Sequence, residues 1–177
     1  MTEIIDNTGY IFDYEVQSQG SQSGILFTPN VKCLLVSIRA KNSLHNNQNY
    51  GYLYLNSNKN ILVGPILPAA DGDYDVYLVD EVLTVGTDYI FNVGARDVFE
   101  WEDREQGTFS SFPIIGNNVT ITAESSYSFS TSTFKTALSV GRNIVSITTE
   151  KIDETKNIFK LQNKSNMLPG IKIPLRF

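Results

Sequence analysis

The sequence predicts an all-β chain folded as a two-sheet, jelly-roll-like sandwich with an extended C-terminal segment. Three observations carry this. From Leu34 the residues Leu34, Val36, Ile38 and Ala40 alternate with Leu35, Ser37, Arg39 and Lys41; a period of two sets one apolar row against a core and a mostly polar row outside. The same period returns in short segments divided by turn signals, with no long helical pattern between them. Aromatic residues are plentiful, nine Tyr and ten Phe, and broad side chains pack well on a pleated surface.

The first strand is expected over 10–16, with Tyr10, Phe12 and Tyr14 on one face, followed by a Ser/Gln/Gly loop over 17–23. A short strand over 24–28 stops at Pro29 and Asn30, a turn signal. The long strand 31–41 leads to the Asn-rich stretch 42–49, the tip of a hairpin. Segment 50–56 returns with Tyr52 and Tyr54 opposite Leu53 and Leu55, bulky on both faces, which suits a central strand covered on both sides. A turn over 56–60 leads to 61–63, and Pro65, Pro68, Asp71 and Gly72 mark a second break.

Strand 74–80 follows, and 82–85 leads through Gly86 and Thr87 into 89–96, where Tyr89, Phe91, Val93 and Ala95 alternate with Ile90, Asn92, Gly94 and Arg96. Segments 108–115, 118–123 and 127–130 read as further short strands, with a hairpin turn at Gly116 and Asn117. Segment 125–136 is rich in Ser and Thr with Tyr127, Phe129 and Phe134 interleaved, and is expected to turn its hydroxyls outward and its aromatics inward. Such a surface also suits a partner, because an uncovered edge invites pairing. A strand over 143–149 is followed by a charged turn and a return at 158–161. The final stretch is bracketed by Pro169 and Pro174 and reads as an edge strand or docking tail. The sandwich is expected over 1–140, with 141–177 as a C-terminal hairpin and docking segment, appended to that domain or part of it.

At 41% hydrophobic residues the chain can build a real core. Its net charge is -5 and its Lys and Arg are scattered, which argues against nucleic acid and anionic membrane surfaces as partners. The single cysteine, Cys33, forms no intrachain disulfide and reads as a small core hydrophobe. No segment approaches the ~18 apolar residues of a membrane span. Residues 1–7 lack the basic and apolar regions of a signal peptide, so export by that route is not expected.

No catalytic motif is present, and the expected function is an interaction rather than a reaction, with no cofactor. Segment 97–106 holds the one Trp among charges. Phe99, Trp101, Asp103 and Arg104 form a candidate binding site: an exposed indole stacks on sugar C–H faces while carboxylates accept hydroxyl hydrogen bonds, and Trp and Arg also anchor protein interfaces. The plainer reading is that Phe99 and Trp101 cover the open end of the sandwich. Asp71, Asp73 and Asp75 are spaced as Ca²⁺ ligands, but Val76 and Val82 stand where an EF-hand loop needs Gly and Glu, so a solvated turn is expected. His45, the one histidine, reads as an exposed loop residue, since a zinc cage needs further ligands.

Gly24, Phe27, Thr28 and Pro29, the Val/Ile-rich strand 34–40, the Gly51, Leu53 and Leu55 hairpin strand, and Val82, Gly86, Thr87 and Tyr89 resemble the pattern of a β-sandwich domain family found in bacterial extracellular and phage tail proteins. The resemblance covers about residues 10–96 and departs from the family where a tryptophan is replaced, with Tyr54 in its place. It implies a virion location and a role as a non-enzymatic phage structural protein: a tail, fibre or capsid-decorating component bound to other virion proteins. Self-association is expected, with Ile158, Phe159, Leu161, Ile171, Ile173, Leu175 and Phe177 as the assembly segment. The alternative is a carbohydrate-binding module that adsorbs to a surface glycan on the host.

Overall fold

The computed structural model describes residues 1–6, 11–41, 49–71, 74–97, 99, 101–108, 112–137 and 144–153. These form fourteen strands: β1 (Thr2–Asp6), β2 (Ile11–Gln19), β3 (Ser21–Pro29), β4 (Cys33–Lys41), β5 (Tyr50–Leu55), β6 (Ile61–Ile66), β7 (Ala69–Asp71), β8 (Tyr74–Leu83), β9 (Tyr89–Gly94), β10 (Trp101–Thr108), β11 (Ile114–Ile115), β12 (Val119–Ser128), β13 (Thr133–Ala137) and β14 (Ile144–Lys151). No helix occurs among the described residues.

Two antiparallel sheets make the sandwich. One is five-stranded in the order β1-β14-β4-β8-β7. The other is seven-stranded: β11 and β13 both pair with β12, followed by β3, β9, β5 and β6. β2 and β10 form a separate two-stranded ribbon. The chain changes sheet between β3 and β4, β4 and β5, β6 and β7, β8 and β9, and β13 and β14, as jelly-roll sandwiches do.

Alternation fixes what goes inside. Ile25 and Phe27 of β3, Leu53 of β5 and Phe91 and Val93 of β9 meet Leu35 and Ile38 of β4, Tyr77 and Leu83 of β8 and Ile147 of β14 in one core. Tyr77 meets Phe91 edge-on, with ring centroids 5.9 Å apart. Gly51 makes room for them: a Cβ there would lie 2.6 Å from the Tyr77 ring and 2.8 Å from the Phe91 ring. β5 lies between β9 and β6, and Tyr52, Leu53 and Tyr54 are all buried, as expected of a strand covered on both faces. β9 is buried along its whole length.

Several expectations need correction. In β4 the buried residues are Cys33, Leu35, Ile38 and Ala40, whereas Leu34 and Val36 are only half-buried. The pairing with β8 shifts register between Leu35 and Ser37; one extra residue in a strand reverses the faces that follow, so the apolar row does not run through Leu34 and Val36. The expected loop over 17–23 is strand on both sides of Gly20, which alone turns the chain at φ 59°. Segments 118–123 and 127–130 belong to one strand, β12. A register shift between Ile121 and Ala123 turns Tyr127 toward the outer face, where it stands opposite Gln22, and turns Ser126 and Ser128 to the core-side face of Ile25. The hydroxyls and aromatics of this stretch therefore take the faces opposite to those expected.

The turns expected at Gly86 and at Gly116 and Asn117 are in place, whereas Pro65, expected in a break, lies inside β6. Gly86 adopts φ 72° and donates its N–H to the Pro29 carbonyl at 3.0 Å. Gly116 and Asn117 lie in the β11–β12 hairpin, closed by a Gly116 N–H to Val119 carbonyl bond of 2.9 Å. The Glu3 carboxylate of β1 accepts the amides of Asn117 at 2.5 Å and Asn118 at 2.6 Å, tying the edge of one sheet to a turn of the other. β14 sits between β1 and β4, and Ile144 and Ile147 enter the core. Residues 158–177, including Ile158, Phe159, Leu161, Ile171, Ile173, Leu175 and Phe177, lie outside the described residues, as do His45 and Asp73.

Candidate binding site

The outer face of the seven-stranded sheet carries a second apolar layer. Tyr52, Tyr54 and Ile90 are buried there, with Leu26, Tyr50 and Phe134 packed against them. This layer spans strands that are not neighbours: the Tyr54 ring lies 5.0 Å from that of Phe134 in an edge contact and 6.5 Å from that of Tyr127. Gly24 sits between them, where the β3 and β9 backbones approach so closely that a Cβ would fall 1.8 Å from the Phe91 carbonyl oxygen. The missing side chain also opens the path by which the Ser125 hydroxyl donates across β3 to the Asn92 side-chain carbonyl.

Polar groups inside this layer are fixed by hydrogen bonds. The Tyr54 hydroxyl donates to Gln22 Oε1 at 2.7 Å, and Gln22 Nε2 donates to the Ala95 carbonyl at 2.9 Å. Burial, reinforced by Tyr52, pushes the Tyr54 phenol above its ordinary range, and the Gln22 bond only partly opposes this. On the core side of the same sheet Glu124 is fully buried, standing opposite Ile25. Nothing in the alternation of the sequence marks it, because the register shift in β12 decides which way it points.

At the β12–β13 end of the seven-stranded sheet lies a cavity of about 270 Å³. Among the described residues Ser21, Ser126, Ser128, Thr131 and Thr133 bring hydroxyls to it, and Gln22, Tyr127 and Lys135 also border it. Its turn is ordered by hydroxyl pairs, Ser128 with Ser130 at 2.9 Å and Thr131 with Thr133 at 2.6 Å. The Tyr127 ring is braced by Phe129 at 4.9 Å and Phe134 at 4.5 Å.

The outer face of the five-stranded sheet is different. One row across it runs Ile4, Thr148, Ser37, Leu78, and the next Thr2, Glu150, Leu34, Val82. Leu78 is 65% exposed, Ile4 63% and Val82 46%, with Leu34, Val36 and Val76 half-buried beside them. The nearby β6 edge and the turn after it add exposed Ile61, Leu62 and Leu67.

The residues picked from sequence lie elsewhere. Trp101, Asp103 and Arg104 stand on β10 opposite Gln19, Gln17 and Val16 of β2, and their side chains lie outside the described part of the structure. Phe99 is exposed; its N–H donates to Asp97 Oδ1 at 2.8 Å and its carbonyl accepts from Gln19 Nε2 at 3.4 Å. Asp71 and Asp75 fall on paired strands, and Asp75 is buried, which raises its pKa against the opposing effect of a Tyr77 hydrogen bond. No group of three His, Cys, Asp or Glu side chains able to hold a metal occurs among the described residues. Cys33 is buried, and burial with the nearby Glu3 charge pushes its thiol up to about 11, so it is a poor nucleophile. No protein-family model and no curated protein sequence matches this chain.

Proposed function

We propose that this chain is a non-enzymatic structural component of a phage particle, a tail, fibre or capsid-decorating protein that works through protein–protein contacts and self-association. The observation that carries the reading is the exposed apolar pair Leu78 and Val82, with half-buried Leu34, Val36 and Val76 beside them, on the outer face of the five-stranded sheet. Soluble monomers expose few contiguous apolar patches of this kind, and those they have mark interaction sites. Contacts through this strip and through segment 158–177 would seat the sandwich among virion proteins or copies of itself. The resemblance over residues 10–96 points the same way.

The test is the solution mass of the purified chain by light scattering across concentration, with Leu78→Lys and Val82→Lys as variants. Wild type is expected to exceed the monomer mass and the double variant to return to it, with an unchanged melting temperature. A wild-type chain that stays monomeric and binds no virion partner counts against the reading. A second reading, glycan binding during adsorption, is favoured by the hydroxyl-lined cavity beside Tyr127.

A further inference from the structure

We infer that segment 158–177 of one copy docks on the Leu78 and Val82 face of a second copy, so that the chain associates head to tail. The inference rests on the self-association reading of the proposed function and gives that association a donor and an acceptor.

Charge separates the two surfaces. Segment 158–177 holds four of the chain's 14 basic residues, Lys160, Lys164, Lys172 and Arg176, and none of its 19 acidic ones. Residues 1–157 are left with 10 basic against 19 acidic residues, a net -9. A symmetric contact between two bodies of that charge works against repulsion, whereas a basic segment laid on an acidic body is attracted to it. The face has acidic groups of its own. Glu150 shares a row with Leu34 and Val82, and exposed Asp80 stands between Leu78 and Val82 along β8. The basic group of the same face, Arg39 opposite Val76, holds its guanidinium over the Tyr74 ring at 4.4 Å.

The pattern of the segment matches the face. Ile171, Ile173, Leu175 and Phe177 alternate with Lys172, Pro174 and Arg176. In an extended segment that period sets one apolar row on one side. Such a row fits over Leu78 and Val82, which are 65% and 46% exposed, and the long Lys172 and Arg176 side chains can bend from the row toward carboxylates. Proline cannot donate to a ladder, so Pro169 and Pro174 favour a contact made by side chains across a face over strand pairing at an edge.

Reach brings in the second copy. The Ile152 N–H bond to the Lys32 carbonyl holds the chain to the sheet at the end where Leu34 and Val82 stand. Ile171 lies 18 residues past Asp153, up to ~60 Å of extended chain, against about 20 Å across a five-stranded sheet. Folding back onto its own face would use up both surfaces within one chain and leave none for association. Docking on a neighbour leaves one of each open, the heterologous contact that builds rings or filaments.

The experiment uses three full-length chains in light scattering and sedimentation: wild type, a face variant (Leu78→Lys with Val82→Lys) and a segment variant (Ile173→Asp with Leu175→Asp). Wild type is expected to associate. Each variant alone is expected to be monomeric, and their equimolar mixture to give a 1:1 dimer, because the segment of the first fits the face of the second. Wild-type melting temperatures control for folding. A measurement without variants runs beside it: raising NaCl from about 0.05 to 0.5 M screens the attraction and is expected to weaken wild-type association at least fivefold. Association that is unchanged or stronger at high salt overturns the inference, as does a mixture that stays monomeric; in both cases self-association itself survives. A monomeric wild type whose segment variant associates overturns it too, by placing the segment on its own face. Monomers in every combination overturn the inference and the self-association reading together.

Discussion

At the scale of single residues, three glycines with different surroundings separate space from backbone conformation. Gly24 has backbone where a Cβ would go, Gly51 has two rings, and Gly86 has open space but a φ of 72°. Backbone cannot move without breaking the β3–β9 ladder, rings can shift by tenths of an ångström, and a left-handed Ala bears only its intrinsic strain. Alanine substitutions should therefore destabilise in the order Gly24, Gly51, Gly86, with about 3 kcal/mol or more for the first and ~1–3 kcal/mol for the second. The third should lose ~1–2 kcal/mol. Urea denaturation of the three variants checks the order, and a Gly24→Ala protein as stable as wild type would mean that β3 and β9 are not packed this closely.

Asp75 makes a second prediction at this scale. Burial raises its pKa in the folded chain. An acid with a raised folded pKa binds more protons folded than unfolded over the interval between its two pKa values. Its contribution to stability is therefore fully present below the ordinary aspartate value, declines as pH rises through the folded value, and stays lost above it. Asp75→Asn keeps an acceptor for Tyr77 and removes the charge. It should raise the melting temperature at pH 7 and have little effect at pH 3. Thermal melts at the two pH values decide, and an equal shift at both would show that the charge is not the cause.

At the scale of elements, what was legible in the sequence and what was not divide along one physical line. A period of two, read off 89–94, correctly sends Phe91 and Val93 into the core and Ile90 to the other face, because β9 pairs with both neighbours without a slip. The same reading fails in β4, and in β12 beyond Ile121, because each contains a register shift. A bulge leaves no composition signature in Leu34–Val36 or in Ile121–Ala123, yet it exchanges inside and outside for everything that follows. Segment 125–136 was recognisable as a surface of mixed hydroxyls and rings. That Tyr127 joins Tyr54 and Phe134 was not, since those partners come from strands across the sheet. The turns at Gly86 and Gly116 were legible because local backbone needs dictate them.

The link between elements is also testable. Glu3 accepts two backbone amides of the β11–β12 turn, bonds of the charge-assisted kind. Glu3→Gln leaves one accepting oxygen and turns an NH₂ toward an N–H. A loss of about 1–2 kcal/mol is expected, together with faster amide exchange at Asn117 and Asn118 while the core amides of β9 stay protected. Uniform loss of protection would place Glu3 in the global unfolding unit instead.

At the scale of the whole molecule, the question is whether folding and association use the same residues. Among the described residues the buried core runs from Ile25 to Ile147, and β14, the last described strand, is flanked on both sides. Two backbone bonds then tie the strand's end to the rest of the fold: Lys151 N–H to the Met1 carbonyl and Ile152 N–H to the Lys32 carbonyl, both at 3.0 Å. These contacts are all made among the described residues, which do not include residues 158–177. Their alternating Ile171, Ile173, Leu175 and Phe177 would nonetheless expose apolar surface unless something covers it. A chain ending at Asn157 should keep a single cooperative melt within a few degrees of wild type and lose its capacity to self-associate. Calorimetry and light scattering on the two lengths separate the outcomes. Loss of the melt would assign the segment to the core, and unchanged association would leave the strip around Leu78 as the sole contact surface.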